Sequence, residues 1–144
     1  MEQRINIITL GISDLEKSRD FYESGLGWKP SPISDNYKDI VFFKLGTLVL
    51  SLFPREALAE DAKATPSAGG GFGGITLAHN ARDKDTVDRI MERAAKAGAT
   101  ITKPAQNTSW GGYSGYFADP DGHLWEIAWN PYLPLDENGV LQIP

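Results

Sequence analysis

The chain has 144 residues, enough for one domain or two small fused modules with a real core. Its formal charge of −5, from 14 basic and 19 acidic residues without a Lys/Arg cluster, argues against nucleic-acid or anionic-membrane partners. Cysteine is absent, which removes disulfides, thiolate nucleophiles and Cys-ligated metals together.

The N-terminus, MEQRINIITLGISDLE, has no apolar leader core, and no later run approaches membrane-span length, so the expectation is a cytoplasmic protein. Residues 4–12 alternate as a strand. Ser13 and Glu16 form a capping-box pattern that opens a helix through Leu15, Ser18, Phe21 and Tyr22, with Gly25 as its left-handed cap. A short strand is expected near Trp28. A hairpin follows, from residues 40–44 to residues 47–53, turning at Gly46. REALAEDA, from Arg55, suits a short helix, and TPSAGGGFGG reads as a flexible linker.

The second half repeats this order. Ile75-Thr76-Leu77 matches Ile8-Thr9-Leu10, and Lys103-Pro104 matches Lys29-Pro30. A strand over residues 74–79 leads to a helix from Arg82 or Asp83, which buries Val87, Ile90, Met91 and Ala94 and ends at Gly98. Strands are expected over residues 100–103, 114–118 and 123–129, the last two joined by the turn Asp119-Pro120-Asp121-Gly122. Each half is therefore β-α-β-β-β in an α+β chain. The modules cover about residues 1–54 and 73–131, with a linker over 55–72 and a surface tail over 132–144.

Alternation assigns faces. Leu48, Leu50 and Leu52 should pack under helices, leaving Val49, Ser51 and Phe53 opposite. Ile8, Leu10 and Ile12 oppose Ile7 and Thr9. Ile75 and Leu77 oppose Gly74, Thr76 and Ala78. Trp125, Ile127 and Trp129 oppose Glu126. The second faces carry Thr9, Ser51, Thr76 and Glu126, a smaller and more polar set suited to lining a pocket. A carboxylate inside an apolar strand is costly unless it is paired or wet, so Glu126 is the candidate acid–base residue. Its alternative role is an acid paired to a neighbour, holding the sheet together. Trp110-Gly111-Gly112-Tyr113 offers either an aromatic lid or a loop packed on the sheet. The candidate ligand-binding residues are thus Thr9, Ser51, Phe53, Thr76, Trp110 and Tyr113.

ITLGISDLEKSRDFYESGLGW and WGGYSGYFADPDGHLWEIAW together resemble the vicinal oxygen chelate superfamily of glyoxalase I, bleomycin-resistance proteins and extradiol dioxygenases. The resemblance spans nearly the whole chain. It implies two tandem βαβββ modules forming a curved eight-stranded mixed sheet around a cleft, with helices outside, in a homodimer. Metal-dependent members carry His, Gln or Glu at four places, which fall here at Ile7, Ser51, Gly74 and Glu126. Only Glu126 is a strong ligand type, so no metal and no other cofactor is expected. The resulting expectation is a metal-independent protein that binds a small organic molecule. Its alternative is a glyoxalase-type lyase or isomerase acting through Glu126, with an extradiol dioxygenase disfavoured.

Overall fold

A computed structural model describes residues 1–65 and 72–143. Most of the glycine-rich linker expected after Thr65 lies outside the described residues. The chain divides into two compact units, Met1–Gly73 and Gly74–Pro144.

In the first unit, β1 (Ile7–Ile12), β2 (Val41–Leu45) and β3 (Leu48–Pro54) form a sheet of order β1-β3-β2. β1 runs parallel to β3, and β2 antiparallel to it through the tight turn at Gly46. The expected alternation holds on the helix side, where Leu10, Ile12, Val41, Phe43, Leu50 and Leu52 are all buried. α1 (Leu15–Asp20) contributes Ser18 to this core, and the π-helical turn Phe21–Gly25 adds Phe21 and Tyr22. Tyr22, Trp28 and Phe43 lie within 5.3–5.8 Å of one another, centroid to centroid.

Three local expectations are corrected. The helix is capped by Asp14, not Ser13: the Asp14 carboxylate accepts from the Lys17 amide at 3.0 Å. The left-handed residue is Gly27 (φ 79°), not Gly25, because the chain widens into i→i+5 bonds before it turns, Leu26 N donating to Phe21 O. The strand expected near Trp28 reduces to one bridge, Pro30 to Phe43. Pro30 and Pro32 have no N–H to extend a ladder, and Pro32–Asn36 turns as a 3-10 helix instead.

α2 (Arg55–Asp61), the short helix expected for REALAEDA, continues straight out of β3 and packs against β1 and β3. Arg55 donates to the Gly11 carbonyl at 3.3 Å.

In the second unit, β4 (Leu77–Asn80), β5 (Thr100–Asn107), β6 (Tyr113–Ala118) and β7 (Leu124–Trp129) take the order β4-β7-β6-β5. α3 (Lys84–Lys96), capped by Asp83, buries Val87, Met91 and Ala94 over β5, β6 and β7. Phe117, Trp125 and Ile127 complete that core, Phe117 and Trp125 being stacked at 6.4 Å. The described residues thus hold seven strands in two mixed sheets, not one sheet of eight. β4 starts at Leu77, three residues later than expected, so Ile75 is 74% exposed and packs under no helix.

No helix among the described residues is long and apolar enough to cross a membrane.

Candidate functional site

Register decides which predicted residues meet. In the first unit Thr9 lies beside Ser51, and Ser51 beside Phe42, so all three share the face opposite the leucines. The Thr9 and Ser51 hydroxyls are hydrogen-bonded at 2.7 Å. Ser51 is fully buried, whereas Thr9 is half-buried.

Next to this pair opens a groove of about 680 Å³. It is lined by Thr9, Ile40 and Phe53, by Ala57, Leu58, Glu60 and Asp61 of α2, and by Lys63 just beyond that helix. The volume falls in the range of small-molecule sites, roughly 300–1,000 Å³. Thr9 and Phe53 line the groove, and Ser51 lies beside Thr9 without lining it. The short helix expected for REALAEDA is α2; its part in lining the groove was not anticipated.

In the second unit Glu126 is half-buried on the face opposite α3. It stands directly across from Tyr116, so phenol and carboxylate share one face of the sheet. Burial first, then the Glu126 carboxylate as acceptor and as negative charge, holds the Tyr116 phenol above the usual tyrosine range. Lys103, across from Tyr116 on β5, places its ammonium 5.6 Å from the ring centroid. Tyr116 and Lys103 are not among the candidate site residues read from the sequence. The signal existed: a hairpin that pairs Ala118 with Leu124 across the Asp-Pro-Asp-Gly turn must pair residue 116 with 126.

The remaining candidates stand apart from these groups. Tyr113 lies on the α3 side of its sheet, across from Trp129, and donates to Asp88 Oδ1 at 2.8 Å. Lys84 sits over both rings, 5.6 Å from Tyr113 and 5.5 Å from Trp129. Trp110 is 42% exposed and folds back over Gly112. Thr76 precedes β4 and is exposed, as is Gly74 (φ 79°). His79 pairs beside Ile127, on the face away from Glu126.

A family model described as the Glyoxalase/Bleomycin resistance protein/Dioxygenase superfamily matches residues 4–127. The chain belongs to this superfamily. Among similar proteins in the superfamily's range, a glyoxalase-related enzyme from Fulvimarina pelagi is 38% identical, covers 99% of each chain, and superposes with a TM-score of 0.87. A lactoylglutathione lyase from Agrobacterium tumefaciens is 26% identical over 92% of this chain and 97% of that one, with a TM-score of 0.66. Virulence protein STM3117 of Salmonella typhimurium is 29% identical over 128 residues, 87% of this chain and 83% of that protein.

Glyoxalase/dioxygenase metal chemistry needs donor atoms, and the four equivalent positions supply few. Ile7 has an aliphatic side chain and is 53% exposed, and Gly74 has no side chain. The Ser51 hydroxyl is occupied with Thr9. Glu126 alone offers a strong hard donor, with Tyr116 as its cross-strand neighbour. Among the described residues no three His, Asp or Glu side chains come together to hold an ion. The donor set of these positions does not fit a divalent metal of the kind held by imidazole and carboxylate ligands.

Proposed function

We propose that this superfamily member binds a small organic molecule without a resident metal ion, in the groove between the β1/β3 face and α2. The observation that carries this reading is the groove itself. Phe53, Ile40, Ala57 and Leu58 give it an apolar side, and Thr9, Glu60, Asp61 and Lys63 give it polar and charged groups. That combination is the usual anatomy of a small-ligand site, in which apolar walls supply affinity and a few polar groups fix orientation. The poor donor set at Ile7, Ser51, Gly74 and Glu126 supports metal independence.

Indole, a flat apolar fragment, provides the test. Titrated into isotope-labelled protein before and after chelator treatment, it should shift the amides around Phe53 and along α2 equally in both samples. Shifts that require an added divalent ion, or none in this region, would overturn the reading.

A second reading is favoured by one further observation, the placement of Tyr116 directly across from Glu126. A carboxylate facing a phenol, with a lysine ammonium near that ring, suits a general acid–base pair. The similarity to a lactoylglutathione lyase and a glyoxalase-related enzyme is consistent with a glyoxalase-type lyase or isomerase. On that reading Glu126→Gln abolishes turnover of a carbonyl substrate while binding persists. A variant that retains turnover would remove Glu126 from the chemistry.

A further inference from the structure

The direction of the Thr9–Ser51 hydrogen bond determines what the groove asks of its ligand. Each hydroxyl has one proton and can accept through two lone pairs. The 2.7 Å contact uses one of the two protons. Ser51 is 0% exposed, in the central strand, and among the described residues its hydroxyl meets only Thr9. Were Thr9 the donor, the Ser51 proton would be left without an acceptor in the interior, the costly outcome for a buried hydroxyl. With Ser51 as donor, both groups are served: Ser51 is satisfied by the Thr9 oxygen, and the Thr9 proton is turned toward the groove that Thr9 lines.

We infer that Thr9 is a hydrogen-bond donor to the ligand, and that the groove selects apolar molecules bearing an acceptor oxygen, such as a carbonyl, over hydrocarbons of the same shape. This rests on the groove being the binding site proposed above. Phe53, Ile40 and Leu58 hold the apolar body, and the buried Ser51 hydroxyl fixes the polarity of Thr9 from behind. Ser51, the residue at a position where metal-dependent relatives carry a ligand, becomes a positioning residue for a neutral donor.

Acetophenone and ethylbenzene form a matched probe pair, because the ketone oxygen is their main difference. Their affinities for the full chain are measured by chemical-shift titration, as are those for Thr9→Val and Thr9→Ser. Wild type is expected to bind acetophenone about three- to ten-fold more tightly than ethylbenzene, the worth of one neutral hydrogen bond. Thr9→Val should bind both equally, and Thr9→Ser should restore the preference. Equal affinities in wild type, or a preference that survives Thr9→Val, would overturn the inference and leave the groove as a plain apolar site. Failure of both probes to bind wild type would overturn the site reading itself. An amide spectrum of Thr9→Val that matches wild type outside β1 and β3 excludes misfolding as the cause of a lost preference.

Discussion

Replacing Gly112 with alanine should eject Trp110 from its seat on the 108–113 loop. A methyl group at position 112 would lie 1.6 Å from Cζ3 of the Trp110 ring, 2.1 Å from Cη2 and 2.6 Å from Cε3. No rotation of a methyl relieves such an overlap, so the ring must leave. Trp110 is 42% exposed, so somewhat more than half of its surface is covered. For an aromatic side chain that buries about 150–250 Å² when fully covered, expulsion uncovers on the order of 100 Å². At about 25 cal/mol per Å² the loss is roughly 2.5 kcal/mol as an upper bound. Alanine recovers about 0.4–1 kcal/mol by restricting the unfolded chain, since Gly112 is not among the residues with positive φ. The net destabilisation is therefore about 1.5–2 kcal/mol, or a Tm lower by roughly 3–8 °C for a chain of this size. Thermal unfolding measures the shift, and a red-shifted, more quenchable tryptophan emission reports the exposed ring. Gly111→Ala is the control. Its φ of +89° makes alanine strained, yet a methyl there meets Tyr132 at 3.2 Å and leaves Trp110 in place. It should destabilise without the spectral change. A Gly112→Ala protein with wild-type Tm and emission would refute the packing described for this loop.

Leu52→Ala, in the fully buried centre of β3, should cost about 2–5 kcal/mol in urea denaturation; under 1 kcal/mol would mean that the first unit's core is not packed as described. Tyr116 has a phenol pKa raised by burial and by Glu126, so its contribution is complete below about pH 10 and is lost as pH rises through the raised folded value. Tyr116→Phe should flatten that alkaline loss in stability measured against pH, and an unchanged slope would count against the Glu126 contact. Asp83 is shifted the other way, its carboxylate pKa lowered first by bonding to Thr86 at the α3 N-terminus. Its contribution is present above about pH 4 and lost as pH falls through the lowered folded value. Asp83→Ala should lower Tm at neutral pH and shrink the acid-side dependence, whereas an unaltered acid limb would exclude the cap.

Much of the sheet was legible from alternation alone. Leu50 and Leu52 on one face, Ser51 and Phe53 on the other, needed only period two and a hairpin turning at Gly46. Glu126 stood out because an acid between Trp125 and Ile127 breaks an apolar run. Its partner required one step more, counting register back across the turn to Tyr116. Other features depended on contacts that no local pattern states. A π-helical turn moved the left-handed glycine from Gly25 to Gly27, because i→i+5 bonds add a residue to the turn without changing its composition. Tyr113 was grouped with the ligand-binding candidates, but parity puts it on the α3 side with Asp88 and Lys84. The α2 helix could be read from REALAEDA, but its packing on β1 and β3 is a tertiary fact.

Native mass spectrometry with metal analysis on one purified sample is the most direct test of metal-free small-molecule binding. The expected result is a chain without stoichiometric metal that takes up one indole or acetophenone, with uptake unaffected by chelator and reduced by Leu58→Asp in the groove wall. One divalent ion per chain, lost in Glu126→Gln and required for uptake, would contradict it.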